Sequence, residues 1–128
     1  MTTFKGVTPI LRMFDEQKAR EFYLDYLGFQ LDWGHRYEED LPLYMQISWN
    51  GLVIHLSEHF GDCNPGGAIR VEIEGLEIYH QELVKKQYKY SRPGIEITPW
   101  HSKEVCMIDP FGNRIIFFES LNPSTKGE

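Results

Sequence analysis

Hydrophobic and polar residues recur with the period of a helix in some parts of this chain and alternate as in a strand in others. After Asp15 the apolar residues recur at helical spacing. They are Ala19, Phe22, Tyr23, Tyr26 and Leu27. This spacing predicts an amphipathic helix that Asp15 caps and Gly28 ends. The segments on either side, residues 7–14 and about 29–37, are predicted as strands because β-branched and aromatic residues fit a pleated sheet.

A hairpin is predicted around Asn50-Gly51, which separates residues 44–49 from residues 52–57. Asn-Gly between apolar runs favours a type I′ turn, because both central residues need positive φ. Pairing across this two-residue loop places one set of side chains on an apolar face. That face carries Met45, Ile47, Trp49, Leu52, Ile54 and Leu56. The opposite face is mixed, which is typical of a ligand site. It carries Tyr44, Gln46, Ser48, Val53, His55 and Ser57.

The second half of the chain repeats this order of elements. A period-two strand at 68–74 and a helix at about 76–87 precede an irregular strand within residues 88–99. A second hairpin turns at residues 109–113, where Asp, Pro and Gly occupy the first, second and fourth positions of a type I turn. The chain is therefore predicted as β-α-β-β-β twice, with the Gly- and Pro-rich residues 58–67 as the link.

Length predicts one α+β domain over residues 1–121, followed by a loose tail at 122–128. Its first module covers about 6–60 and its second about 67–120. Neither module has enough apolar residues to stand alone. We expect each sheet to curve around a cup and to cover its other face with the helix.

Composition excludes several classes of protein. The net charge is −6, from 19 acidic and 13 basic side chains, and no basic run exists, so nucleic acid is not an expected partner. An acidic balance favours solubility and leaves a cationic ligand as an alternative. No apolar stretch is long enough for a membrane span, and no signal-peptide pattern is visible. Two distant cysteines favour a reduced, cytoplasmic location.

Several short stretches in this order resemble the glyoxalase / bleomycin-resistance superfamily, also called the vicinal oxygen chelate fold. They are Thr8–Leu11, Glu21–Tyr23, Leu27–Phe29, Gly75-Leu76, Pro99-Trp100 and Asp109–Arg114. The resemblance implies two βαβββ modules that form an incomplete barrel around a cup. It also implies a homodimer with its ligand groove at or near the interface. Residues 99–113 look closest to bleomycin-resistance proteins, which sequester the drug without chemistry.

The same resemblance bears on metal binding. Enzymes of the superfamily hold a divalent metal at four strand positions, which correspond here to Thr8, His55, Ala68 and Ile116. Only His55 is a good ligand, whereas stable zinc sites take about three or four protein ligands. We therefore expect no cofactor and leave enzymatic activity open. The alternative is a metal-dependent lyase, isomerase or dioxygenase that uses His55, and a regulatory module with an empty cup is a third reading.

The residues expected to bind the ligand come from both modules. They are Trp33, His35, Gln46, His55, Trp100, Glu104, Ile116 and Phe118. Trp100 follows a proline in a loop, which suggests stacking on a planar ligand or a dimer contact. His55 lies opposite Gln46, either as a ligand contact or as a histidine that is hydrogen-bonded to Gln46. For Trp33 and His35, the sequence leaves the face of the second strand ambiguous.

The charged residues expected near the cup do not decide whether the ligand is cationic or anionic. Three arginines are expected there. They are Arg12, Arg70 and Arg114. Unpaired, they would favour an anionic ligand through bidentate contacts, whereas pairing with Glu72 or Glu104 would neutralise them. The favoured hypothesis is a metal-independent binding protein that holds an antibiotic, or a similar planar or amphipathic small molecule, in the groove of a homodimer.

Overall fold

The structure, a computed structural model, describes residues 1–88 and 93–121. The chain divides into two compact units, Met1–Gly67 and Ala68–Glu128. Each unit contains one four-stranded sheet and a helical segment. The predicted tail at 122–128 and part of the predicted irregular strand, residues 89–92, lie outside the described residues. Among those described, no helix is long and apolar enough to cross a membrane.

The first unit follows the predicted β-α-β-β-β order. Its elements are β1 (Ile10–Arg12), α1 (Glu16–Ala19) with a π-helical continuation (Arg20–Tyr26), β2 (Gln30–His35), β3 (Tyr44–Trp49) and β4 (Leu52–Ser57). The sheet order is β1-β4-β3-β2, and β1 is the parallel neighbour of β4. The first strand is shorter than predicted, although backbone hydrogen bonds from Met13 and to Pro9 extend its pairing with β4.

The predicted helix forms, but its backbone is not α-helical throughout. Asp15 caps it as expected, since its carboxylate accepts from the backbone N–H of Lys18 at 3.0 Å. From Arg20 onward the turn widens to π spacing, and Leu27 N–H donates to the carbonyl of Phe22 at 2.9 Å. All five apolar residues predicted for its inner side are buried. Within this wider turn the adjacent rings of Phe22 and Tyr23 meet edge to face, with centroids 4.9 Å apart.

The Asn50-Gly51 hairpin has the predicted turn and register. Both residues have positive φ, 49° and 89°, as a type I′ turn requires. Gln46 pairs with His55, and Trp49 pairs with Leu52. The apolar face is buried at four positions, and its two outer positions, Trp49 and Leu52, are half-buried. The four fully buried residues are Met45, Ile47, Ile54 and Leu56.

The second unit repeats this order. Its elements are β5 (Ala68–Glu72), α2 (Leu76–Lys86), β6 (Ile95–Ile97), β7 (Ser102–Ile108) and β8 (Arg114–Ser120). The sheet order is β5-β8-β7-β6, with β5 parallel to β8. In α2, Leu76, Tyr79 and Leu83 are buried, and Lys85 and Lys86 occupy the last turn. One face of the β7–β8 hairpin is buried and apolar. It carries Val105, Met107, Ile115 and Phe117.

The second hairpin turns through a network centred on Asp109. Gly112 N–H donates to the carbonyl of Asp109 at 3.2 Å, which closes the predicted type I turn. The Asp109 carboxylate is buried and also accepts three hydrogen bonds, from the backbone N–H groups of Phe111 and Asn113 and from the Asn113 side chain. These contacts explain how the side chains of Asp109 and Asn113 can be buried although Pro110 and Gly112 of the same turn are exposed. The predicted α+β fold class is confirmed.

Candidate functional site

A bulge in β2 decides which side chains join the polar face of the first sheet. Leu31 pairs with Ile47, but the next pair is Trp33 with Gln46, so Asp32 is an extra residue on its strand. Without the bulge, strict alternation would turn Trp33 to the same face as Leu31. With it, Asp32 and Trp33 both reach the polar face.

The bulge also sets the face of the residues that follow. Gly34 lies on the core side, where an added Cβ would be 3.4 Å from Leu43 Cδ1 and 3.7 Å from the Cβ of Met45. His35 therefore returns to the polar face, where its ring meets the ring of Tyr37 at a centroid distance of 4.9 Å. This settles the ambiguity that the sequence left for Trp33 and His35.

Four side chains of the first sheet form one hydrogen-bonded chain. Gln46 Nε2 donates to Asp32 Oδ2 at 3.0 Å, and Gln46 Oε1 lies 2.9 Å from His55 Nε2. His55 Nδ1 lies 2.6 Å from the hydroxyl of Tyr44. The chain therefore runs from Asp32 through Gln46 and His55 to Tyr44, across β2, β3 and β4.

The donors and acceptors in this series of hydrogen bonds follow from the charge of Asp32. An ionised carboxylate only accepts, so the amide nitrogen of Gln46 must face Asp32 and its oxygen must face His55. The oxygen accepts, so His55 carries a proton on Nε2. For the neutral ring, Nδ1 is then the acceptor for the Tyr44 hydroxyl. Burial and the nearby Asp62 and Cys63 raise the pKa of Tyr44, which keeps that hydroxyl protonated.

Aromatic rings cover the same part of the sheet. Trp33 stacks on Tyr44 with a centroid distance of 6.0 Å and an interplanar angle of 16°. The ring of His55 meets Trp33 edge-on at 5.4 Å. Trp33 remains 43% exposed, so part of its indole is open to a ligand. We call Asp32, Trp33, Tyr44, Gln46 and His55 the first-unit shelf.

The second unit has a different arrangement around Glu104. Both nitrogens of the Arg70 fork donate to its carboxylate, at 3.2 and 2.8 Å, and the Ser102 hydroxyl donates at 2.8 Å. The indole N–H of Trp100 donates at 3.1 Å. The guanidinium of Arg70 also lies 4.4 Å from the centroid of the Phe118 ring. We call these five residues the second-unit cluster.

These donors change the titration of Glu104. The hydrogen bonds from Arg70 above all, and those from Ser102 and Trp100, lower the pKa of Glu104 to about 2. The sequence left two readings for Arg70, a free anion-binding cation or a partner of a carboxylate. The structure shows the second, so Arg70 is already neutralised by Glu104.

All eight residues predicted to bind the ligand lie in described segments, four in each unit. Trp33, Gln46 and His55 belong to the first-unit shelf, with His35 on the same face. Glu104, Trp100 and Phe118 belong to the second-unit cluster. Ile116 lies on β8 opposite Cys106. Their contact with a ligand stays a prediction.

Sequence reasoning missed Asp32 and made no use of Tyr44. Alternation from the Asn50-Gly51 turn already put Tyr44 on the mixed face beside His55, so that signal was available. For Asp32 no comparable signal existed, because its position depends on the bulge.

A cavity of about 340 Å³ lies elsewhere in the first unit. Its lining consists of Arg12, Met13, Phe14, Arg36, Asp40, Leu41, Pro42 and Glu58. The guanidinium of Arg36 is engaged there by Glu16 at 2.7 Å, Glu58 at 3.5 Å and the carbonyl of Leu41 at 2.8 Å. These bonds tie the loop that follows β2 to the helix, so Arg36 and Glu58 have structural roles there.

A family model described as glyoxalase superfamily protein matches residues 1–124. This chain belongs to the glyoxalase superfamily. A comparison with curated protein sequences found no match.

Solved structures share the fold of this glyoxalase superfamily chain at low sequence identity. A bleomycin resistance determinant encoded on the transposon Tn5 has a TM-score of 0.71 at 17% identity, covering 91% of this chain and 98% of that one. A bleomycin-binding protein from Streptomyces verticillus, complexed with copper(II)-bleomycin, has a TM-score of 0.68 at 24% identity, covering 91% and 97%. An antibiotic-binding protein from Streptomyces sp. CB03234 has a TM-score of 0.71 at 19% identity, covering 94% and 99%.

The residues of this superfamily member do not fit the metal site of the related enzymes. Of the four corresponding positions, Ala68 and Ile116 have no side-chain donor atom, and Thr8 offers a neutral hydroxyl. His55 has both ring nitrogens in hydrogen bonds, to Gln46 and Tyr44. Within residues 1–88 and 93–121, no group of three or more His, Cys, Asp or Glu side chains is placed to hold a metal ion.

Proposed function

We propose that this glyoxalase superfamily chain is a cytoplasmic, metal-independent binding protein. It acts as a homodimer that sequesters a planar or amphipathic small molecule, such as a bleomycin-type antibiotic. Protection results from holding the ligand and involves no chemical change. The ligand lies against the first-unit shelf, where Trp33 supplies the stacking surface.

The observation that carries this proposal is the state of His55. Both of its ring nitrogens are hydrogen-bonded within the shelf, and its ring edge supports the indole of Trp33. A histidine that acts as a metal ligand or general base needs a free nitrogen. A histidine that is held on both sides instead fixes neighbouring aromatic rings, which lowers the entropy lost when a flat ligand stacks on them.

The structural relatives support the same class of function. One of them is a bleomycin-binding protein in complex with copper(II)-bleomycin, and another is an antibiotic-binding protein. At 24% and 19% identity they carry the fold and no residue roles. The metal-dependent alternative would require His55 to release Gln46 or Tyr44 before it could bind an ion.

Tryptophan fluorescence on chelator-treated protein tests this proposal. We expect metal-free bleomycin to quench the emission saturably, at one drug per chain, with micromolar or tighter affinity (about −8 kcal/mol). A Trp33→Phe variant should lose most of the quenching. Sedimentation equilibrium of the same sample should give twice the mass of one chain.

Each contrary result has a distinct meaning. No quenching up to millimolar drug would show that bleomycin is the wrong ligand. Binding that a chelator abolishes and a divalent metal restores, with loss in His55→Ala, would favour the metal-dependent enzyme. A monomeric mass at all concentrations would contradict the homodimer.

A further inference from the structure

Asp32 carries a negative charge that the structure does not neutralise. Three neutral donors hold its carboxylate, namely Gln46 Nε2 at 3.0 Å, Ser48 Oγ at 3.0 Å and Gln30 Nε2 at 3.2 Å. None of the ion pairs found among the described residues includes it. These hydrogen bonds, that from Gln46 first, lower the pKa of Asp32. The carboxylate is therefore ionised at neutral pH.

The hydrogen bonds of the shelf all point toward this charge. With a neutral His55 ring, Tyr44 donates to His55, His55 donates to Gln46, and Gln46 donates to Asp32. Each donor polarises the next in the same direction. The remaining lone pairs of the Tyr44 oxygen and of the Asp32 carboxylate are hydrogen-bond acceptors. The shelf therefore offers a ligand hydrogen-bond acceptors. The protons of its own hydrogen bonds are used within the shelf.

The aromatic part of the shelf has the same electrostatic preference. The faces of Trp33 and Tyr44 carry the negative part of the ring quadrupole, and their stack fixes the orientation of the indole. A cation over an indole face is stabilised by this quadrupole. Carboxylate, phenol oxygen and indole face therefore all favour positive charge and N–H donors.

We infer that the first-unit shelf is specific for a planar cationic group with N–H donors, such as an amidinium, a guanidinium or a protonated amino-heterocycle. The cation's N–H groups donate to Asp32 while its plane lies against Trp33. This inference rests on the proposed binding function and adds the charge of the ligand. It also makes Asp32 the residue that determines specificity.

The second-unit cluster shows why a carboxylate beside an indole is not sufficient. Glu104 also bonds a tryptophan, but Arg70 occupies it with two hydrogen bonds. A ligand cation would have to displace that guanidinium. The shelf has no such internal competitor at Asp32 among the described residues, so the charge is available to a ligand.

Three probes with one ring and different charges test this inference. They are benzamidinium, benzamide and benzoate, titrated into the full chain while the indole N–H signals are followed by two-dimensional NMR. Trp33→Phe identifies the Trp33 signal. We expect benzamidinium to bind at least about tenfold tighter than benzamide, since hydrogen bonds between charged groups are the stronger ones. Benzoate should bind more weakly than benzamide.

Asp32→Asn keeps the shape of the side chain and removes its charge. Benzamidinium affinity should then fall about tenfold, to the level of benzamide, whose own affinity should change little. Glu82→Gln is the matched control, because it makes the same change in net charge on the exposed side of α2. It should leave all three affinities unchanged.

The outcomes separate this inference from the function on which it rests. Equal binding of the three probes, no saturable binding of benzamidinium, or an Asp32→Asn variant that binds benzamidinium as tightly as the wild type would each overturn the cation preference. Bleomycin binding could still stand in each of those cases. If bleomycin fails to bind while benzamidinium binds through Asp32, the inference holds and only the proposed antibiotic is wrong.

Discussion

The two units share one topology, yet their polar faces carry different chemistry. In the first unit the β3–β4 hairpin pairs Gln46 with His55, and in the second the β7–β8 hairpin pairs Cys106 with Ile116 on its polar face. The first pair is part of a hydrogen-bonded chain, and the second has neither an amide nor an imidazole. The shared topology therefore gives each sheet a hairpin with a polar face. The side chains on that face determine what it can bind.

Their carboxylates differ in the same way. Within residues 1–88 and 93–121 the partners of Asp32 are neutral, whereas Glu104 has a bidentate arginine. Each carboxylate is held in place by at least three donors, so both are pre-organised. The two sites differ in net charge. Asp32 and its partners together are negative, whereas Glu104 and Arg70 together are near zero. To bind a charged ligand, a carboxylate must be held in position by hydrogen bonds while its charge is not already paired with a cationic side chain of the protein.

The largest expected effect is a difference in stability between variants of the two hairpin turns. Asp109→Ala removes a buried acceptor of three N–H groups, and we expect a loss of about 3 kcal/mol in the free energy of unfolding. Asn50→Ala keeps the first turn but puts alanine at positive φ, which costs about 1 kcal/mol. Urea denaturation of both variants measures the difference. Equal losses would mean that the Asp109 network contributes no more than backbone conformation.

The next effect compares the two exposed tryptophans. Trp33→Leu removes the stacked surface of the shelf and should weaken bleomycin binding about tenfold. Trp100→Leu should weaken it less, by no more than about threefold, because the proposed stacking surface is Trp33 and Trp100 belongs to the second-unit cluster. Calorimetric titration gives both constants. A larger loss in Trp100→Leu would place the ligand mainly on the second-unit cluster.

A smaller effect concerns the pH dependence of Glu104. Its pKa is lowered to about 2, so its contribution to stability is fully present above the ordinary glutamate pKa and is lost as pH falls through about 2. Glu104→Gln should cost about 1 kcal/mol at neutral pH, since Arg70 is partly exposed.

The difference between wild type and Glu104→Gln should shrink as the pH falls from about 4.3 toward about 2. Unfolding free energies measured across that range test the sign. Asp32→Asn is the comparison, and its effect should be smaller because Asp32 is fully exposed and has no ion pair among the described residues. A pH-independent difference for Glu104→Gln would contradict the assigned pKa.

The smallest effect tests the bulge that distinguishes β2. A methyl group at residue 34 would meet Leu43 and Met45 at ordinary contact distances, 3.4 and 3.7 Å. Gly34→Ala should therefore change the unfolding free energy by less than about 0.5 kcal/mol. NMR cross-peaks between the introduced methyl group and the Leu43 side chain would confirm the register. Without the bulge this residue would face the polar side, and those cross-peaks would be missing.

Much of the fold could be predicted because its signals are local. Asn50-Gly51 specified both the turn and the register of its hairpin, and the Asp-Pro-x-Gly pattern specified the second turn. Helical spacing identified the buried side of the first helix, although the π-helical backbone from Arg20 to Tyr26 was not foreseen. The spacing of apolar residues identifies the buried side of a helix and does not distinguish α from π hydrogen bonding.

The site was predicted less well, for a related reason. His55 and Gln46 were expected to pair and do so, because they lie on the hairpin whose register was known. The face of Trp33 and the role of Asp32 depended on a bulge opposite Gln46. The bulge leaves Leu31 opposite Ile47 and Gly34 opposite Met45, and this register is a property of the pairing with β3 that the β2 sequence alone does not specify.

Residue types and short-range preferences were enough to specify the repeated β-α-β-β-β order and the two turns. Which carboxylate keeps its charge depended instead on the folded arrangement. Asp32 and Gln46 are 14 residues apart, and Arg70 and Glu104 are 34 apart. Whether such groups meet depends on strand pairing, and no local preference reaches across those distances.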